Sequence, residues 1–168
     1  QSMQVDGVRV YQLESRPFGG TPATIPGRVE AENFDEGYPG EVYNETDVEN
    51  QGGAYRPDED VDIQATTGGG FNGEWMQYTV DVQQAGEYTV TARVASESTG
   101  GSFSLQVGDI PIGQIAFVPA TGGFQDWEEI EFSATLEAGE QPLRFYNFSA
   151  ASQDFNIDWL DFALNAAD

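Results

Sequence analysis

The 168-residue chain has no cysteine and no histidine, and its six basic residues are all arginine. Without cysteine there are no disulfides, thiolate nucleophiles or zinc–thiolate sites, and there is no redox evidence of compartment. Without histidine or lysine, the usual general base, the serine–histidine triad and the Schiff-base amine are excluded. Acid–base chemistry falls to carboxylates and tyrosine, which weighs against enzymes broadly. No apolar run approaches the roughly 18 residues of a membrane-spanning helix, and no signal-peptide pattern opens the chain. The sequence therefore reads as a segment of a longer precursor. Its length allows one core of about 100–150 residues plus a short tail, and no second full domain.

What the chain has in excess is negative charge. Asp and Glu number 29, giving a formal net charge of -23 at pH 7. Such a surface repels nucleic acid and anionic membranes, so neither is an expected partner. Two readings of the acidity are compatible with each other. One is solubility in a saline medium, and the other is that some carboxylates hold Ca²⁺.

Hydrophobic patterning is of one kind. Met76, Tyr78, Val80 and Val82 share one face while Gln77, Thr79 and Asp81 share the other, the period of a half-buried strand. After the turn Gln83-Gln84-Ala85-Gly86, the same period continues through Tyr88, Val90, Ala92 and Val94. Further strands are expected at 102–107, 112–117, 127–135, 143–148 and 155–164, between Gly-rich or polar turns. No segment combines helical periodicity with caps. The prediction is an all-β, antiparallel β-sandwich of the jelly-roll kind. Residues 1–14 read as an isolated strand, 15–26 as a Pro/Gly/Thr-rich linker, 27–165 as the sandwich and 166–168 as a tail.

A few residues stand out against this background. Glu30 and Glu32 lie two apart on one strand, so both project from the same face. With Asp158 and Asp161 from the last strand they suit a hard cation; two solvated acids are the plainer reading. Trp127 follows a Gly-rich loop and shares a face with Glu129 and Glu131. A large ring at a polar rim suits a pyranose, whose axial C–H face packs on an aromatic plane while amides and carboxylates bond its hydroxyls; closing one end of the core is the alternative. Trp75 shares the polar face of its strand with Gln77 and can be read the same way, whereas Trp159 alternates with Phe155 and Ile157 and reads as core. Asn156 begins the last strand with an amide able to donate and accept. The loop containing Tyr43, Asn44 and Glu45 offers an aromatic ring, an amide and an acid together.

Five blocks, in order, resemble the family 6 carbohydrate-binding modules: Val29-Glu30-Ala31-Glu32-Asn33-Phe34, Gly73-Glu74-Trp75-Met76-Gln77-Tyr78, Ala85-Gly86-Glu87-Tyr88-Thr89-Val90, Ala120 through Trp127, and Phe155-Asn156-Ile157-Asp158-Trp159. The resemblance runs over residues 26–164 and implies a jelly roll with a structural Ca²⁺ and no catalysis. It implies Glu30, Glu32 and Asp158 as calcium side chains, with a backbone carbonyl near Arg56 as a further ligand. It also implies a loop-end cleft in which Trp127 is one stacking ring, Asn156 the amide, and Asn44 or Glu45 the acidic loop position. The stretch from Gly68 to Glu74 is shorter than is usual in the family, where it carries the second ring. Phe71 and Tyr43 are the candidates to replace that ring, or the cleft is open on that side. Some members also bind sugars on the concave sheet face, the position of Trp75.

Residues 1–12 are similar to the closing strand of family 16 glycoside hydrolases, especially laminarinases, with Gly7 where an aromatic is expected. That resemblance implies a secreted, extracellular protein with a catalytic domain upstream in cis, and a monomer. Its expected ligand is a polysaccharide or oligosaccharide, with β-1,3-glucan (laminarin) or mixed-linked β-glucan leading. Agarose or xylan binding, a small carboxylate-dependent glycosidase and a calcium-dependent adhesion or spacer domain are the other readings.

Overall fold

The computed structural model describes residues 15–44, 74–98, 100–149 and 155–166. The strand remnant expected at 1–14 lies outside these residues, as do Glu45, Arg56 and Phe71. The strands are β1 (Ala23–Ile25), β2 (Gly27–Glu30), β3 (Tyr43–Asn44), β4 (Trp75–Val82), β5 (Gly86–Ser96), β6 (Gly101–Val107), β7 (Ile110–Pro111), β8 (Ala116–Val118), β9 (Gly123–Leu136), β10 (Gly139–Asn147) and β11 (Asn156–Leu164). They form two sheets. The larger runs β1-β4-β10-β6-β7, with β3 added beside β4 and β8 beside β6; the smaller runs β2-β11-β5-β9. The molecule is thus the expected all-β sandwich.

Period-two alternation explains how the sheets face each other. Met76, Tyr78, Val80 and Val82 of β4 are buried while the residues between them are half-exposed, and Tyr88, Val90, Ala92 and Val94 repeat the pattern on β5. These inward rows, with Leu143 and Phe145 from β10 and Leu160 and Phe162 from β11, make one continuous core. A group of phenylalanines joins the sheets at one end. Phe103 on β6 stacks on Phe145 of β10 at 4.6 Å, meets Phe132 of β9 edge-on at 5.4 Å, and lies 5.9 Å from Phe155, just before β11. Gly101 makes room for this arrangement, because a Cβ there would stand 2.5 Å from the Phe155 ring.

Two expectations about local structure are corrected. The segment 15–26 is not a linker: Arg16 and Glu36 exchange backbone hydrogen bonds of 3.0 and 2.8 Å, and β1 pairs with β4. Its Pro and Gly residues shape turns within the sandwich. The β1–β4 pairing is parallel, so the larger sheet is not wholly antiparallel. The single strand expected at 112–117 is instead β7 and β8 with a short segment between them that bridges to β9. There the chain leaves β6 and leans on the opposite sheet, Ile112 accepting from Thr135 N at 2.7 Å and Gln114 N donating to Ser133 O at 3.2 Å.

Phe103→Ala, which removes the ring common to both sheets, is expected to cost about 3–5 kcal/mol in urea unfolding.

Candidate functional site

At the end of the smaller sheet, the β5–β9 ladder pairs Val94 with Glu128 and resumes only at Ser96 and Gly123. Residues 124–127 therefore bulge opposite the single residue Ala95. Thr121 holds the loop in place: its Oγ1 accepts from Ser96 N at 2.8 Å and lies 3.0 Å from Ser96 O and 3.1 Å from Gly123 O. Asn156, opposite Ala95 on β11, reaches across to the bulge and donates from Nδ2 to the Phe124 carbonyl at 2.9 Å. Phe124 is half-buried here. The Gly122-Gly123-Phe124 run is the sequence signal for this ring, which stands beside Trp127 as a second aromatic of the bulge.

All three tryptophans carry an arginine. Arg93 lies 5.2 Å from the centre of the half-buried Trp127 ring, and its Nη1 bonds Asp158 at 2.6 Å. Arg28 covers Trp159 at 3.8 Å and sits 4.0 Å from Asp161, while Arg144 covers Trp75 at 3.8 Å and bonds Asp109 at 3.1 Å. Each cation is thus held over a ring by a carboxylate. Trp159 pairs with Glu30 and Arg93, next to the inward-facing Leu160. It is 7% exposed, buried as expected of a core residue, but it lies under Arg28 and outside the cluster that joins the two sheets.

Trp127 and Asn156 thus occupy the same end of the sheet, linked through Arg93 and Asp158. Tyr43 does not join them. It is only 7% exposed, its ring meets Phe34 edge-on at 5.7 Å, and it pairs with Met76. Tyr43 is a core residue, and the proposal that it supplies a second stacking ring is corrected. The adjacent Asn44 is half-buried opposite Trp75. On the outward face of the larger sheet, Trp75 faces Tyr146 in register, and Tyr146 touches Phe148 at 4.7 Å between centres.

The acidic residues fit a cation in part. Burial, followed by the charge of Glu32, raises the Glu30 pKa above its usual value; Arg28 opposes this and Asp158 adds to it. Such crowding is what a hard divalent ion relieves. The Asp158 carboxylate is already held by Arg93, and among the described residues no group of three acidic side chains is placed to hold a metal ion unaided.

Residues 30–163 match the family described as "Carbohydrate binding module (family 6)". The chain belongs to that family. A family 6 module binds sugar and does not cleave it, so the reading as a small glycosidase falls away. The module is 37% identical over 102 residues to the clotting factor G alpha subunit of Tachypleus tridentatus, covering 55% of this chain and only 15% of that protein. It is similar to the carbohydrate-binding module of Cellvibrio mixtus lichenase 5A, solved with cellotriose, at 28% identity and a TM-score of 0.50 over 56% of this chain and 72% of that one. The β-1,3-glucan-binding family 6 module from Bacillus halodurans shares the fold, with a TM-score of 0.60 at 20% identity over 84% and 98% of the two chains.

Arg93→Ala removes one ion pair and one cation–π contact at the loop end of the module. It is expected to destabilise the protein by about 1–2 kcal/mol, with the loss shrinking in high salt, as urea titrations at two ionic strengths would reveal.

Proposed function

We propose that this module binds β-linked glucan, either β-1,3-glucan of the laminarin type or mixed-linked glucan, and holds an attached glycoside hydrolase on that substrate outside the cell. The observation that carries the reading is the loop-end pairing of Phe124 with Asn156. There Asn156 Nδ2 is committed to the backbone carbonyl of Phe124, a residue whose ring is half-buried, and the amide oxygen can accept from a sugar hydroxyl. The cellotriose held by the Cellvibrio module, itself a β-linked glucose chain, supports a glucan as ligand. Trp127 contributes the outer wall of the cleft, with the Arg93 guanidinium beside its ring.

Calorimetric titration with laminarin oligosaccharides tests this reading. Phe124→Ala and Asn156→Ala are each expected to weaken binding about tenfold. Trp127→Ala is expected to lower the melting temperature more than the affinity. Unchanged affinity in both loop-end variants would sink the site.

The aromatic row Trp75, Tyr146 and Phe148 favours a second sugar site on the outward face of the larger sheet. Its expected signature is a binding stoichiometry that falls by one site in Trp75→Ala.

We also propose a structural Ca²⁺ held by Glu30, Glu32 and Asp158, supported by the crowding around Glu30. Its role would be to neutralise those acids and fasten the end of β2 to β11. An ion bound only by the folded state raises stability, by about 2.7 kcal/mol at a hundredfold excess over its dissociation constant. Added Ca²⁺ should therefore raise the melting temperature and chelator reverse it. Glu30→Gln should abolish the shift, and equal melting with and without the ion would count against the site.

A further inference from the structure

The open edge of the sandwich holds a groove of about 620 Å³ between β8 and β9, lined by none of the loop-end or Trp75-row residues. Its origin lies in how the sheet edges are joined. β8 pairs with β6 in the larger sheet and β9 is the edge of the smaller one. A short segment closes the gap between them: Gly113 bridges Ala134, flanked by the hydrogen bonds of Ile112 and Gln114 to Thr135 and Ser133. The approach is so tight that a Cβ on Gly113 would stand 2.0 Å from Ser133 O. Beyond Gln114 the chain turns away to join β6, and the groove begins where this closure ends.

Its lining is mixed in a specific way. Phe132 is buried in the floor, with Ile130 half-buried beside it. Phe117 stands at the lip with 75% of its surface exposed, although its neighbours Ala116 and Val118 are buried. Gln114 lies at the closed end, and the exposed Glu131 lies on β9. An accessible ring, an amide and a carboxylate around one apolar floor are the groups that recognise a pyranose by its C–H face and its hydroxyls. The volume falls within the range of about 300–1,000 Å³ common for small-ligand sites.

We propose that this edge groove is a separate glycan subsite, taking one or two neutral pyranose units of a β-linked chain, with Phe117 as the stacking ring and Gln114 and Glu131 as hydroxyl partners. The inference rests on the carbohydrate-binding reading above. A neutral sugar is favoured because Glu131 and a net charge of -23 repel uronate or sulfate groups. Apolar contact with a second copy of the chain is the competing use of the exposed Phe117.

The experiment is an amide chemical-shift titration of the whole chain with laminarihexaose and, separately, cellohexaose, together with sedimentation of the sugar-free protein. The expected result is two saturable sets of shifts, one at the loop end around residues 122–126 and 156, the other at 113–118 and 130–132. Phe117→Ala, an exposed substitution that leaves the core intact, should weaken the second set about tenfold and spare the first. Shifts at the loop end alone would overturn the edge subsite and leave the loop-end reading standing. Shifts at the edge alone would sustain the subsite and remove that reading, and shifts at neither would remove both. Self-association abolished by Phe117→Ala, without edge shifts on adding sugar, would make the groove a contact between copies and overturn the proposal.

Discussion

Two sheets with outward polar faces must be locked in one relative position if the loop end of the smaller one is to keep its shape. Here the lock is aromatic. Phe103 and Phe145 come from the larger sheet, Phe132 from the smaller, and Phe155 from the segment entering β11. Because Phe155 is fixed in that group, Asn156 leaves it in a set direction and meets the Phe124 carbonyl across Ala95. The loop-end amide thus inherits its position from the core. The laced loop at Thr121 supplies the other half, since it pins the strand that carries Phe124.

Most of the framework was legible in the sequence because strand periodicity is a local signal. The rows Met76–Val82 and Tyr88–Val94 alternate as written, and β10 and β11 lie close to the expected places. What was misread depends on contacts between distant segments. The Pro-rich stretch 15–26 looks like a linker until Glu36 and β4 are seen to pair with it. Trp159 is buried as read, but alternation cannot see the bulge between Ile157 and Trp159, and the ring packs under Arg28 outside the inter-sheet cluster. Tyr43 looks like a binding ring because only packing against Phe34 reveals it as core. The link between Phe124 and Asn156 is invisible in the sequence because the two are 32 residues apart.

Electrostatics divides the molecule in a similar way. With 29 acidic residues against six arginines, each described arginine has several carboxylates to choose from. Three of them settle over tryptophans, and each also pairs with an aspartate. The rings gain a cationic cover, the cations gain a flat apolar support, and the acids are partly neutralised. At Glu30 the opposing charge of Arg28 is outweighed by burial and by the neighbouring Glu32 and Asp158, which is why crowding is felt there.

These covered tryptophans also constrain how the module can change over evolutionary time. A substitution that removes one arginine strands an aspartate and bares an indole together, so ring, cation and acid are bound to vary as a set of three. Phe124 and Phe117 carry no such obligation. Change at these phenylalanines should therefore be the freer, while the tryptophans stay behind as fixed points of the scaffold.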